Sequence, residues 1–352
     1  MRWFAVSAVV GVSILVPHAA NAQVETRQEQ FETYCTPTDP GLEELSGLTM
    51  VGGVLYGIGD SGTDHRVAAL DSSCAVSRWL DVPVDPYDVE DLGSHGGRLW
   101  LSDTGDNLRR RDTVALTRMD PQSGEGELHR LVYPDGPHDA ETILIEPGGR
   151  PVIVSKEPTG ISGVYVPAGD ETVDQLASPG PTPLRHVGDL SFERTDTVGG
   201  PPFITGSILA TGGAVSADGS VAAVRTYNDV YLFPVRDGDV AGALAAGALA
   251  AGASTAESST GDAVVVALPA QPQGEAVAFD DAGNLLVASE AAGGAVPPIL
   301  WLRGATDLVS ADDAAATAET ESDSRWALGA MAAAGVLVLF SIAYGVRTAR
   351  RR

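Results

Sequence analysis

Lysine is almost missing from this chain. Lys156 is the one lysine among 22 basic residues, so the other 21 are arginine. With abundant Ala and Gly, this reads as a GC-rich coding bias and carries no functional meaning. Positive charge is scarce altogether: 47 acidic residues oppose the 22 basic ones, for a net charge of −25, and four of the basic residues, Arg347, Arg350, Arg351 and Arg352, lie in the C-terminal tail. That balance excludes nucleic acid or an acidic polymer as the partner of most of the surface and favours cations or cationic ligands. Cysteine is limited to Cys35 and Cys74, with no CxxC spacing, so thiolate metal sites are excluded. Helical periodicity is nearly absent between residues 23 and 302, which excludes a helix bundle. No dense Asp-x-Asp-x-Asp-Gly loop occurs, so an EF-hand type of calcium loop is excluded as well.

Long hydrophobic runs are confined to the two ends. Arg2 precedes an uncharged stretch over 3–16, Pro17 ends it, and Ala20-Asn21-Ala22 fits a signal-peptidase site. Residues 1–22 are therefore expected to be an export signal cleaved after Ala22. Residues 326–346 hold no charge. At a rise of about 1.5 Å per residue they span roughly 31 Å, the thickness of a bilayer core. Trp326 and Tyr344 sit near the ends of that run, and Arg347, Arg350, Arg351 and Arg352 follow it. The charge asymmetry predicts a single transmembrane helix with residues 347–352 as a cytoplasmic tail and the main domain outside the cell membrane. No LPxTG-like motif lies upstream, so the anchor is expected to be retained. An even cysteine count in an exported region predicts a Cys35–Cys74 disulfide, with two free thiols as the alternative. Residues 303–325, rich in Ala, Asp, Glu, Thr and Ser, are expected to be a solvated acidic tether.

Residues 23–302 read as one all-β unit. Short β-rich runs alternate with Gly, Asp and Pro, and they repeat. Each repeat has a polar lead into an apolar strand, a tight turn, and a second apolar strand. The leads are Glu44-Leu45-Ser46-Gly47-Leu48, Asp88-Val89-Glu90-Asp91-Leu92, Asp139-Ala140-Glu141-Thr142-Ile143, Thr211-Gly212-Gly213-Ala214-Val215 and Gln273-Gly274-Glu275-Ala276-Val277. Third strands follow at 67–70, 114–117, 163–166, 230–233 and 299–302, and fourth strands are readable in the first four repeats, such as 76–80 and 264–268. Four antiparallel strands per repeat predict a β-propeller of five blades. Six blades, with a degenerate one in 170–204, or a two-sheet sandwich are the alternatives. The fifth repeat lacks a fourth strand, and an unpaired edge is a liability. The segment from Gln30 to Cys35 is expected to fill that place and close the ring. Residues 237–262, rich in Ala, Gly and Ser, are expected to be a flexible loop.

In such a blade, the start of the first strand and the end of the second open on the same face. The starts carry Glu44, Glu90, Glu141 and Glu275; the ends carry Asp60, Asp103, Glu157 and Glu290, with Arg225 in the fourth repeat and Lys156 nearby. The expectation is a ring of carboxylates around one channel mouth. Crowded carboxylates must protonate, pair with cations or bind a metal, and hard oxygen donors suit Ca²⁺ or Mg²⁺. Glu44, Glu90, Glu141 and Glu275 are the candidate metal ligands, Asn107 a neutral one, and the others candidate binding groups of the mouth. Ordinary strand-end roles are the alternative for each. Gly59-Asp60-Ser61-Gly62 copies a serine-protease tetrapeptide, but His18 is the only upstream histidine and lies in the expected signal. The overlapping GxGxxG at 57–62 precedes a strand where that fingerprint needs a helix. His138-Asp139-Ala140-Glu141 could serve as a metal or acid/base cluster, but a lone His beside a strand-start carboxylate reads rather as a surface or hydrogen-bonding residue.

The leads Asp-Val-Glu-Asp-Leu, Asp-Ala-Glu-Thr-Ile and Gln-Gly-Glu-Ala-Val, with Ser-Asp-Thr-Gly-Asp-Asn and Val-Arg-Thr-Tyr-Asn-Asp, resemble exported bacterial propellers of the esterase-like phytase and gluconolactonase type. The likeness spans about residues 40–302. It implies a propeller in which a blade-start Glu and Asn/Asp residues hold a divalent metal that activates water. Glu44, Glu90, Glu141 and Glu275 match such starts in position. With no complete catalytic constellation readable, the first expectation is a membrane-anchored cell-surface binding module with an unknown extracellular ligand or protein at the acidic mouth. A metal-dependent esterase, lactonase or phosphoesterase is the second. A purely structural role is the third.

Overall fold

The computed structural model describes residues 26–60, 62–202, 204–252 and 263–309. The expected signal, most of the tether, the transmembrane segment and the basic tail lie outside the described residues. No helix among the described residues is long and apolar enough to cross a membrane.

The domain is all-β, with little helix. Two short strands, β1 (Thr26–Arg27) and β2 (Glu32–Cys35), precede four antiparallel meanders. The first meander is β3 (Leu45–Val51), β4 (Val54–Gly59), β5 (Arg66–Leu70) and β6 (Val76–Asp81). The second is β7 (Val89–His95), β8 (Arg98–Asp103), β9 (Val114–Met119) and β10 (Gly126–Val132). The third is β11 (Ala140–Ile145), β12 (Pro151–Ser155), β13 (Ile161–Pro167) and β14 (Thr182–Ser191). The fourth is β15 (Ala210–Val215), β16 (Val221–Thr226), β17 (Asp229–Pro234) and β18 (Val264–Ala267). A fifth set, β19 (Gln273–Phe279), β20 (Leu285–Glu290) and β21 (Ile299–Leu302), takes β2 as its outer strand in the order β19-β20-β21-β2. The N-terminal segment thus completes the last set, as its unpaired strand character implied.

The first hairpins form where the sequence offers alternation and a two-glycine turn. Gly52-Gly53 and Gly96-Gly97 have φ of +58° and +77°, and of +58° and +74°. Positive φ at both central residues matches the twist of the flanking strands, and glycine adopts it without Cβ strain. The first two strands of each set are largely buried on both faces, so alternate residues serve two different cores. Leu99 and Leu101 of β8 pack with Ile58 and Val67 of the first set, while Trp100 between them packs with Ile143 and Ile153 of the third. Leu285 and Val287 face the fourth set, and Leu286 and Ala288 face the first. Five apolar clusters therefore link first to second, second to third, third to fourth, fourth to fifth, and fifth back to first.

Three features differ from the sequence reading. Residues 170–204 hold no further repeat; they supply β14 and a long connection to β15. The segment expected to be a flexible loop begins as a helix, α1 (Val240–Gly252), because alanine favours helix and Val240, Ala241 and Leu244 have a core to enter. Asp239 accepts from Gly242 N at its first turn, and Glu146 Oε1 accepts from Ala241 N. The packed domain also runs past Leu302 into the expected tether, since Ala305 and Val309 are buried against the fourth and fifth sets. Two pairings were not foreseen. Strand β1 adds to β18 in parallel, and β10 pairs with β14 in parallel, joining the second and third sets at their outer edges.

The inner strands β3, β7, β11, β15 and β19 neighbour one another in a closed circuit. At its axis stands Asp91, with no exposed surface. Its carboxylate accepts from Leu92 N at 2.8 Å, Ile143 N at 2.9 Å and Gly213 N at 3.0 Å, so one side chain ties together β7, β11 and β15. Arg225, also fully buried, donates to Ala276 O, Ala288 O and Gln271 Oε1 and ties the fourth set to the fifth. Cys35 and Cys74 form a disulfide with Cα atoms 5.6 Å apart, clamping β2 of the last set to the first.

Two stability measurements follow from these ties. Asp91→Ala leaves three buried N–H donors unpaired and is expected to lower urea-unfolding stability by on the order of 3–5 kcal/mol, with Asp91→Asn losing less because its amide oxygen still accepts. Cys35→Ser/Cys74→Ser opens a loop of 39 residues' separation. The chain-entropy relation puts that loss at about 4 kcal/mol, read as a shifted denaturation midpoint under non-reducing conditions.

Candidate functional site: an acidic mouth at the ring axis

Every inner strand carries a register shift against its neighbour near its start, between Leu45 and Gly47, Val89 and Asp91, Ala140 and Thr142, Ala210 and Gly212, and Gly274 and Val277. A β-bulge inserts an unpaired residue and re-aims its side chain. The residues in the bulges are Ser46, Glu90, Glu141, Thr211 and, in the longer fifth one, Glu275 with Ala276. All are buried. The bulge gives the mouth its inner tier. Two residues earlier, and so on the same side by the period of two, stand Glu44, Asp88, Asp139, Leu209 and Gln273.

The structure brings together most of the expected ring, with changes of position. Glu90, Glu141 and Glu275 occupy the inner tier. Glu44 does not: it lies before β3, and Ser46 holds the equivalent place, donating its hydroxyl to Glu90 O. Glu44 instead meets Glu290, which also shares a hydrogen bond with Glu275. The fourth set contributes Thr211 where glycine was read, and its hydroxyl donates to Gly274 O. Asp60 joins the cluster beside Asp88 and Glu90. Asp103 is drawn off to Arg111 at 2.8 Å and accepts from Tyr87 N and Asp88 N, so it braces the loop under the mouth. Glu157 pairs with Arg109, and His138 lies 3.4 Å from it. Arg225 is consumed by the backbone oxygens below the mouth. Asn107 is exposed, and Asp106 is the residue of that turn that faces inward, its N–H donating to Asp139 Oδ1 at 2.8 Å. His138 is a hydrogen-bonding residue, near Asp135 at 3.1 Å and Tyr165 at 3.0 Å.

Two contributors were missed by sequence reasoning. Asp88 repeats at 88–90 the Asp-x-Glu of 139–141, and that period of two was a usable signal. Tyr227 had none. Its hydroxyl lies 2.8 Å from Lys156 Nζ, which also bonds Glu141 Oε1. The chain's one lysine thus sits in the mouth between the third and fourth sets.

Two groups of three carboxylates each offer one oxygen within 4.8 Å of the others: Asp60, Asp88 and Glu90, and Glu90, Asp139 and Glu141. Glu90 belongs to both. Burial, then Glu141, Asp60 and Asp88, push the Glu90 carboxyl well above the ordinary range. Burial likewise raises Glu141 to about 8 against the pull of Lys156, and Glu290 to about 11 with Glu275 and Glu44 adding to it. Asp88 and Asp139 are raised, first by burial. Burial works against the Lys156 ammonium, but Glu141 and its neighbours outweigh it and hold the pKa above its usual value. Buried oxygens Glu141 Oε2, Glu275 Oε2 and Glu290 Oε1 have no hydrogen-bond donor within the protein. Leaving such atoms unpaired is costly, and the carboxylate oxygens of the two triads, Glu141 among them, lie at a spacing that fits a divalent cation. At the opposite end of the axis a cavity of about 400 Å³ is lined by Leu92, Ile143, Glu146, His95 and Phe279 among others. Asp91 stands between that cavity and Glu90.

No protein-family model and no curated protein matches the sequence. Similar solved structures include a glutaminyl cyclase from Myxococcus xanthus, at 12% identity and a TM-score of 0.42, covering 79% of this chain and 97% of that one. A PQQ-bound aldose sugar dehydrogenase from Streptomyces coelicolor aligns at 10% identity and 0.39, covering 78% and 98%. A gluconolactonase from Xanthomonas campestris aligns at 12% identity and 0.38, covering 78% and 88%.

The raised carboxyls set the pH response. In the unfolded chain Asp91 and Glu141 release their protons near 3.8 and 4.5, whereas folded they hold them to about 8. Between those values the folded state binds more protons at these two groups, so the stability they contribute is full below about 4 and is lost as pH rises through 8. Thermal melts in chelator from pH 5 to 8.5 are expected to show a falling midpoint. Millimolar Ca²⁺ or Mg²⁺ is expected to recover part of it at the alkaline end.

Proposed function

We propose that the acidic mouth holds a divalent cation, Ca²⁺ or Mg²⁺, and that the domain is a hydrolase of ester, lactone or phosphoester bonds. The observation that carries this reading is Glu90, a buried carboxylate shared by two triads whose oxygens approach within 4.8 Å. Like charges so placed need a cation, and Lys156 satisfies only one of them. Asp60, Asp88, Glu90, Asp139 and Glu141 would hold the ion, which when bound supplies charge neutralisation and Lewis acidity. The chain's own groups provide the rest. The Lys156 ammonium and the Tyr227 hydroxyl stand beside Glu141, able to donate hydrogen bonds to a substrate oxygen that gains charge. Glu290, whose carboxyl burial and the neighbouring Glu275 and Glu44 keep protonated, can pass a proton to a leaving group. The carrier of this site is proposed to be a closed propeller of five blades. It is proposed to be exported by the signal at 1–22 and displayed outside the membrane by the segment at 326–346, with 347–352 inside.

Calorimetric titration is expected to show one saturable Ca²⁺ or Mg²⁺ site. Glu90→Gln, which touches both triads, is expected to weaken it by about 100-fold, more than Asp60→Asn or Asp139→Asn alone. Ester, lactone and phosphoester hydrolysis is expected to vanish with chelator and to fall about 10- to 100-fold in Tyr227→Phe and Lys156→Ala. Saturable cation binding with no turnover on any of the three bond types would favour the binding-module reading instead.

A further inference from the structure

Each inner strand is an edge of its sheet, and that free edge faces the axis. A sheet edge carries backbone N–H and C=O groups that no ladder uses. In an antiparallel pair they alternate: one residue exchanges both bonds with the partner strand, and the next turns both groups away. The turns fix the phase. Val51 with Val54, and His95 with Arg98, close the two-glycine turns, while Glu146 N, Ser216 N and Asp280 N donate to Arg150 O, Val221 O and Asn284 O. One residue back, Met50, Ser94, Ile145, Val215 and Phe279 therefore direct their N–H and C=O groups to the axis. Two residues further back, Leu92, Ile143 and Gly213 keep the same phase, and their N–H groups are the three that meet Asp91.

Met50, Ser94, Ile145, Val215 and Phe279 also share a place. All line the cavity of about 400 Å³ at the end of the axis away from the mouth. That size lies within the roughly 300–1,000 Å³ of small-molecule sites. Asp91 serves the tier above, but among the described residues no protein group meets the inward N–H or C=O groups of this tier. Polar backbone groups turned inward need partners. Unmatched charge is scarce here. Glu146 is held by Arg150 through two bonds of 2.8 Å and accepts from Ala241 N, Asp281 is exposed, and no lysine or arginine is in the lining among the described residues. The Thr49 and Ser94 hydroxyls, 2.9 Å apart, add a further donor and acceptor.

We propose that this cavity binds a small neutral polyhydroxylated molecule, its hydroxyls bridging the inward N–H and C=O groups of Met50, Ser94, Ile145, Val215 and Phe279. Each of these residues offers one donor and one acceptor side by side, the pair that a hydroxyl satisfies by accepting and donating at once. A carboxylate would use the N–H groups as Asp91 does, but it would bring negative charge against inward carbonyls with no cation in the lining. A cation would use the carbonyls and leave the N–H groups unserved. The site is separated from the mouth by Asp91 and does not depend on the reading given to the mouth.

Amide NMR spectra of the full chain test this without any turnover. Glycerol, myo-inositol and glucose are titrated in, with cyclohexanol as the ring bearing a single hydroxyl. At least one polyol is expected to saturate, about tenfold or more tighter than cyclohexanol. It is expected to shift the amides of Met50, Ser94, Ile145, Val215 and Phe279. Those of Gly93, Leu144, Ala214 and Ala278, held in the ladders, are expected to move far less. Val215→Pro removes one inward N–H and no ladder bond, a position where an edge strand accepts proline, and is expected to weaken binding about 3- to 10-fold. Ser94→Trp is expected to fill the cavity and abolish binding. Amide dispersion shows whether each variant folds, and if one does not, the amide map of the unaltered chain still decides. The proposal is overturned by no saturation with any of the three polyols, by equal affinity for cyclohexanol, by shifts centred on Glu90 and Glu141, or by full affinity in a folded Ser94→Trp.

Discussion

Five inner strands converging on one axis leave almost no volume between them, and the rest of the architecture answers to that shortage. A Cβ on Gly47 would lie 2.7 Å from Leu92 N, and one on Gly213 would lie 2.7 Å from Thr142 Cγ2. Glycine is required at Gly47 because the backbone of β7 approaches too closely for a side chain, and at Gly213 because the side chains of Thr142 and Leu144 already fill the place. The same proximity lets the carboxylate of Asp91 reach donors on three strands at once. A larger opening would leave those N–H groups to water. A tighter one would expel the carboxylate. Desolvation raises the Asp91 pKa to about 8 even though three N–H groups favour its charged form. The axis is thus held by a group whose own charge is poorly solvated.

The bulges convert this convergence into a site. A regular strand would alternate its side chains between the two inter-sheet cores. One extra residue at each inner start breaks that alternation and turns Glu90, Glu141 and Glu275 toward the axis. Carboxylates gathered by backbone geometry cannot separate to relieve repulsion. An ammonium meets Glu141, burial with Glu275 and Glu44 beside it keeps the Glu290 carboxyl protonated well above the ordinary range, and the oxygens of Asp60, Asp88, Glu90, Asp139 and Glu141 gather closely enough for a cation. Arg225 is spent differently. Its guanidinium serves main-chain oxygens between two sheets, and burial lowers its pKa to about 9, the mark of a structural charge.

The fold was legible in the sequence because its signals are local. Alternating apolar residues, two-glycine turns and four-strand spacing repeat in each meander, and an unpaired strand at Glu32–Cys35 had an evident vacancy to fill. Glu90, Glu141 and Glu275 could be read as facing one opening for the same reason. What stayed hidden depended on register and on distant packing. Counting from the lead residues placed Glu44 in the inner tier, but counting back from Leu48, as from Leu92, Ile143 and Val277, places Ser46 there, and only the bulge decides between them. Asp103 and Arg225 look like mouth residues in the chain, yet the partners that withdraw them, Arg111 in one case and carbonyls of the last set in the other, are chosen by tertiary contact. Tyr227 became Lys156's partner because the third and fourth sets meet at the axis, 71 residues apart in the chain. Local patterning determined the strands and their turns; the closing of the ring determined which charges would face one another.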